Sequence, residues 1–288
     1  LKELDLGLEE IIDLGWGIFG WVNRFAVIPV FNFLDSFDMS YGIIILILTI
    51  LLKLVLSPIT YKTYLSGAKM RVLKPEINEI NEKYKDDAMK KQQEMMSLYR
   101  QTGVNPLSGC IPLLIQMPIL IAMFRFFPAS IELRQESFLW ADDLSTYDSI
   151  YTFPDGFSIP FYGDHISLFT ILMAVSIALY TKLNSSMSAG MATEGPMAAQ
   201  MKIMMYLMPI MMLFWFNSYS SGLSYYYFLA NIISIGQTFL IRKVFINEDA
   251  IRAKIEKNKK NQKKKKKSGF AKRMEEMAKQ QQLKQKGK

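Results

Sequence analysis

Residues 41–60 read YGIIILILTILLKLVLSPIT. Twenty residues of α-helix rise about 30 Å, the thickness of a bilayer's hydrocarbon core. Leu and β-branched residues run around the whole circumference, with no polar face except at Thr49 and Lys53. A helix apolar all round belongs in a membrane or in the middle of a large core. Four further apolar segments, at about 106–127, 166–183, 202–219 and 223–244, favour the membrane. The last two are separated only by 220–222, a tight hairpin. The expected fold is an all-α polytopic membrane protein with five transmembrane helices; the soluble alternative is five buried core helices.

Charge orients the spans. The chain has 34 Lys and Arg against 26 Asp and Glu, a net +8, and a mean hydropathy of only +0.12. Residues 242–288 hold 18 of the bases and 5 of the acids, so that stretch is +13 and the rest of the chain is −5. A nucleic-acid-binding fold with a basic face throughout is therefore excluded, and no DNA partner is expected. Segments 61–105, 182–202 and 242–288 hold 29 Lys and Arg, against 3 in 1–40, 128–164 and 220–222. By the positive-inside rule the N-terminus and loop 128–164 lie outside and the C-terminus in the cytoplasm. An odd number of spans agrees with opposite-sided termini.

The organisation that follows is an extracytoplasmic segment 1–40, a five-span core 41–245 and a basic tail 246–288. In 14–34, six Trp and Phe surround Asn23, Arg24 and Pro29, which favours an amphipathic helix in the outer interface over a sixth span. Within 61–105, Met70, Leu73, Ile77, Ile80 and Tyr84 recur at helical steps, and Ala88, Gln92, Met95 and Tyr99 form a second series. Asp86 and Asp87 stand between as caps, and Gly103 to Pro106 ends the second helix. This predicts a cytoplasmic amphipathic hairpin, either a solvated element on the membrane surface or a docking element for clients and partners. The tail buries too little to fold alone and is expected to be disordered. Its run Lys263, Lys264, Lys265, Lys266 and Lys267 suits anionic lipid or ribosomal RNA by charge alone.

One cysteine, Cys110, excludes an intrachain disulfide and a multi-cysteine zinc site. One histidine, His165, leaves no metal cluster, and no Ser-His-Asp set unless His165 itself serves. There is no Gly-rich phosphate loop. No cofactor, no metal and no enzymatic chemistry are expected. The chain begins at Leu1 with neither initiator Met nor signal peptide, which suggests a fragment or processed product.

Lys53 is the most informative residue. It lies nine residues before Lys62, about 13 Å deeper along the helix. An ionisable group at that depth costs roughly 2.5–3.5 kcal/mol on insertion scales and usually faces a wet cavity. Thr49 and Ser57, four residues to either side, share its face; the alternative is an amine reaching lipid headgroups through local thinning. Gln116, Asn231, Ser234 and Gln237 are candidate partners, the last three on one face of the final span. No acid falls deep in any span, which weakens a proton-coupled transporter. Nine of the 19 Met residues lie between 187 and 212, suited to adaptable packing against varied helices, or to ordinary lipid and core contacts.

TILLKLVLSPITY at 49–61, AKMRVLKP at 68–75, SGLSYYYFLAN at 221–231 and, most specific, NPLSGCIPLLIQMP at 105–118 resemble the YidC family of membrane-protein insertases. The similarity covers about residues 14–245. The chain looks like the C-terminal conserved part of a Bacteroidetes-like or other Gram-negative form, which also carries an earlier span and a large periplasmic domain. The resemblance implies a bacterial inner-membrane insertase and chaperone for nascent membrane proteins, working through a hydrophilic groove, alone or with the Sec translocon and the ribosome. By position it implies Lys53 as groove cation, Thr49, Gln116, Asn231 and Gln237 as groove lining, and Met117, Tyr226 and Tyr227 as client contacts. The family position of Lys53 is commonly Arg, whose planar fork a lysine lacks. The runner-up function is a small-solute transporter or channel, but no internal repeat supports it, although Pro118 and Pro209 can kink their helices. An intramembrane hydrolase built on Ser57 and Lys53 lacks a second motif.

Overall fold

A computed structural model describes residues 17–105, 111–154, 156–188 and 196–262. It is helical, in the order α1 (Ile18–Val22), α2 (Ile28–Asp35), α3 (Tyr41–Val72), α4 (Lys74–Lys83), α5 (Ala88–Thr102), α6 (Ile111–Ala129), α7 (Leu168–Ser188), α8 (Pro196–Phe216), α9 (Ser221–Leu240) and α10 (Glu248–Gln262). The strands among the described residues are one two-residue antiparallel pair, Tyr151 opposite Ile166 and Thr152 opposite His165. By length and composition α3 and the rod Ser221–Phe245 suffice to cross a membrane; α6, α7 and α8 carry shorter apolar stretches among the described residues.

α3 runs unbroken for 32 residues through Pro58. The first turns of the expected 61–105 hairpin are thus a continuation of the first apolar helix, and the chain turns only at Leu73. Asp87 caps α5 as its sequence suggests, accepting from the Lys90 amide at 3.0 Å. Gly103 ends α5 with φ +68, a left-handed conformation that glycine adopts without a Cβ penalty.

Two apolar cores organise the molecule. The larger joins α2, α3, α6, α7 and α9 through buried residues such as Phe31, Leu48, Met123, Phe127, Phe169 and Tyr226. Of the expected interfacial segment 14–34, the described residues 17–34 contribute to it. A π-helical turn, Asn23–Val27, links α1 to α2; Val27, Phe31 and Leu34 are buried, and the Asn23 amide donates to the Ala122 carbonyl of α6 at 2.9 Å. Trp21, Phe25, Phe33 and Phe37 stay exposed on the other side.

The second core lies at the far end, where Ala68, Leu73, Ile77, Leu98, Tyr99 and Val104 meet Ile251 and Ile255 of α10. Here the structure corrects the sequence reading. The tail expected to be disordered from 246 is helical to Gln262. Ile251 and Ile255 stand one turn apart and fill a slot already lined by α3 and α5. The Lys259 ammonium straddles both Glu76 oxygens at 2.6 Å, and Asn258 donates to the Thr102 carbonyl at 3.1 Å. The helix buries too little alone, but a preformed partner face supplies what its own sequence lacks. Lys263 to Lys267 lie outside the described residues.

Candidate functional site

Polar side chains in the bundle concentrate where α9 meets its neighbours. Thr49, Lys53, Ser57 and Tyr64 lie along α3 near one face, in four- and seven-residue steps. In apolar surroundings the hydroxyls turn onto their own helix: Thr49 donates to the Ile45 carbonyl at 2.6 Å and Ser57 to the Lys53 carbonyl at 2.9 Å. α9 adds a second grip. The Gln237 amide donates to Ser57 Oγ at 3.1 Å and to the Lys53 carbonyl at 3.3 Å. Nearer to α10, the Tyr64 and Thr238 hydroxyls are hydrogen-bonded, and Tyr180 of α7 joins them. The Lys53 backbone is held from two helices, while its side chain is half-buried and no carboxylate pairs with it among the described residues.

Other polar residues of α9 reach different helices. The Tyr226 hydroxyl is hydrogen-bonded to Gln116 of α6. Asn231 donates to Ser176 Oγ of α7 at 3.0 Å. Six residues turn a helix about 600°, so Asn231 and Gln237 lie about 120° apart around the axis. The expectation that Asn231, Ser234 and Gln237 share one face is therefore corrected: Asn231 serves α7, Gln237 serves α3, and Ser234 bonds its own helix at the Ala230 carbonyl.

Two further placements differ from expectation. Thr49 is fully buried, so it joins helices and lines no open surface in this conformation. Tyr226 and Tyr227 are 1% and 8% exposed, packed edge-to-face on each other and against Phe127 and Phe216. Large rings drive that burial, and it removes both from direct reach of another chain here. The Tyr227 hydroxyl is buried with no hydrogen-bond partner among the described residues. Met117, by contrast, is 42% exposed on α6.

The opposite end of the bundle carries a polar network that sequence reading treated only as an acidic loop. Asp148, buried, accepts from the Leu168 and Phe169 amides at the start of α7 (2.9 and 3.1 Å), from the Ser167 hydroxyl (2.5 Å) and from the Trp140 indole (2.9 Å). Asn217, between α8 and α9, donates to the Tyr162 and His165 carbonyls and accepts from the Ser167 amide. Both ring nitrogens of His165 face acceptors, Asp164 at 3.0 Å and the Asn217 carbonyl at 2.9 Å, and the ring stacks on Tyr147. Among the described residues no serine bonds the ring, which ties Asp164 to the Asn217 backbone. The His165 hydrogen bond holds the Asp164 carboxyl below the usual carboxylate range. Asp143 is also lowered: burial pushes it up, but hydrogen bonds from the Ser145 hydroxyl and amide outweigh that. Ser167 ahead of an apolar run was the legible signal, as an N-cap. Among the described residues no three His, Cys, Asp or Glu side chains converge as a metal site.

Residues 33–250 match the family described as 60Kd inner membrane protein. The chain belongs to that family. It is 52% identical over 284 residues to a protein of Parabacteroides distasonis named membrane protein insertase YidC, covering 97% of this chain and 44% of the relative. Proteins of the same name from Bacteroides fragilis (51% over 290 residues; 98% and 46% covered) and Amoebophilus asiaticus (48% over 279; 97% and 45%) are similarly related. The family is the one its motifs resemble. The chain spans less than half the length of these relatives. Family and apolar helices together make it a bacterial inner-membrane protein.

Proposed function

We propose that this chain is the membrane core of an insertase that inserts and helps fold nascent inner-membrane proteins. The observation that carries the reading is Lys53: a half-buried ammonium with no carboxylate partner among the described residues, its backbone clamped by Gln237, in a helix otherwise apolar. A fixed cation at that depth attracts the acidic or polar end of an incoming segment and lowers the penalty for its passage. Gln237 holds the helix at this cation, Gln116 and Asn231 are the further groove-lining residues, and Met117 offers an adaptable apolar contact for the client's hydrophobic stretch. No covalent step is involved and no cofactor is required.

The proposed topology has five spans, α3, α6, α7, α8 and α9. Segment 128–164 lies outside, and the α4–α5 hairpin and α10 lie in the cytoplasm. α1 and α2 lie in the outer interface, with Trp21, Phe25 and Phe33 exposed to it. The tail beyond α10 contacts the ribosome or anionic lipid, and the chain works alone or beside the Sec translocon. The names of its relatives and the 29-to-3 distribution of Lys and Arg support this reading.

The test is insertion of a client with an acidic translocated end into vesicles carrying the purified protein. Lys53→Ala should lower the yield by roughly tenfold, the loss of about 1.4 kcal/mol of differential stabilisation. Lys53→Arg should retain activity. Equal yields from Lys53→Ala and wild type would remove the cation from the mechanism.

A further inference from the structure

Residues 156–163, GFSIPFYG, carry no charge. Their second half folds into a tight tip. The Ile159 and Gly163 backbones exchange amide-to-carbonyl hydrogen bonds, both at 3.0 Å, and the Tyr162 amide donates to the Ile159 carbonyl at 3.0 Å. Pro160 takes the second position of that turn and Phe161 the third, with φ +66. A Pro-led turn with positive φ at its third position is type II, and that position favours glycine. A bulky ring there is strained, and such strain persists only where the surrounding structure imposes it. The Phe161 ring is 93% exposed, while its neighbour Tyr162 is buried. Tyr162 and Gly163 pin the tip to the end of α8. The Tyr162 ring meets the Phe214 ring edge-on with centroids 5.5 Å apart, and the Asn217 amide donates to the Tyr162 carbonyl at 2.9 Å. Gly163 approaches so closely that a Cβ there would stand 3.3 Å from Ser218 Oγ.

We infer that the Ile159–Gly163 tip is a membrane anchor whose Phe161 ring enters the outer leaflet at the boundary of headgroups and acyl chains. The contact with α8 selects lipid as the occupant. Ile203, Tyr206, Ile210 and Phe214 are exposed at three- and four-residue steps, so they form one apolar stripe on that helix, and Trp215 beside its end is 68% exposed. Tyr162 stands on the last member of the stripe, so Phe161 continues it past the end of the helix. The 21 residues of α8 rise about 31 Å, one hydrocarbon thickness, which sets its Phe216 end and the tip pinned to it at one bilayer surface. Phe and Trp are stable at that level, and a ring held out into water gains its burial only there. The first charge after the tip, Asp164, is turned back to the His165 ring at 3.0 Å. The depth rests on the spanning topology proposed above; the strained, outward-turned ring and its junction with α8 do not.

Spin-label depth measurements on the full chain test the anchor, in vesicles of phosphatidylethanolamine and phosphatidylglycerol. In a Cys110→Ser background, a nitroxide is attached after Phe161→Cys, after Ile210→Cys in the α8 stripe, or after Asp142→Cys, an exposed position of the same outer segment. Circular dichroism checks that each labelled chain keeps the wild-type helicity. Collisions are compared for oxygen, which concentrates in lipid, and a neutral nickel chelate, which stays in water. Oxygen should dominate at Ile210 and nickel at Asp142. At Phe161 oxygen should also dominate, by a smaller margin than at Ile210, as a boundary depth requires. Nickel dominating at Phe161 while oxygen dominates at Ile210 would overturn the anchor and leave the spanning topology standing. Shielding of the Phe161 label from both reagents would mean that protein covers the position, and would overturn the lipid occupant. Nickel dominating at Ile210 as well would overturn the spanning topology and the anchor with it.

Discussion

The two ends of the bundle handle polar groups in opposite ways. Around Asp148 and Asn217, carboxylate, amide, indole and hydroxyl groups answer one another, and the long connection before α7 is tied to the starts of α7 and α9. Around Lys53, and at the buried Nε atoms of Arg71 and Arg242, a charge and two donors lack partners among the described residues. A satisfied low-dielectric network is rigid and specific, whereas an unsatisfied one is a standing demand for a ligand.

Four experiments press on that contrast. The largest effect is expected from Asp148→Ala, which strands two amides, a hydroxyl and an indole and should lower stability by about 3 kcal/mol. Thermal unfolding in detergent reads it, and Asp148→Asn should recover only part of the loss. Gly222→Ala comes next. A Cβ there would stand 2.9 Å from the Leu144 carbonyl oxygen and 3.0 Å from the Phe127 ring, for about 2 kcal/mol of overpacking. Loss of the Gly222 amide bond to the same carbonyl would appear as faster amide exchange.

At the other end, Lys259→Ala removes a half-exposed pair with Glu76, worth about 0.5 kcal/mol after solvent screening. α10 should then be cleaved faster by trypsin while the larger core melts unchanged; equal cleavage would mean that Ile251 and Ile255 hold the helix alone. The smallest effect concerns Asp87. Its carboxyl is held below the usual range chiefly by the Lys90 amide it caps. A carboxylate lowered in the folded state stabilises above its ordinary pKa, and that contribution fades as pH falls through the lowered value. Helicity of α5 should therefore drop slightly on acidification, and Asp87→Asn should abolish that slope in a circular-dichroism titration.

Much of the helix layout was legible because its causes are local. The run at 41–60, the Asp87 cap and the Gly103 stop depend on residues within a turn of one another. The polar framework was half legible. Lys53 announces itself by standing in an apolar run, but nothing near Gln237 says that it reaches α3 and not α7, since that depends on how α9 is rotated about its axis. Tyr226 and Tyr227 look like contact residues in sequence and are buried by rings contributed from α6 and α8. Asp148 and Asn217 are 69 residues apart and gain meaning only when α7, α8 and α9 are assembled.

The chain's composition and periodicity determined that it is helical, apolar enough for a membrane and marked by a lysine in the middle of an apolar run. Those are properties of single residues and single helices against solvent or lipid. Packing alone decided that α10 folds, that Thr49 is closed off while Met117 is open, and that Gln237 reaches α3 while Asn231 reaches α7. Each depends on the relative rotation and height of helices that share no local sequence. Hydrophobicity brings such helices together without setting their register; side-chain fit and hydrogen bonds between them do.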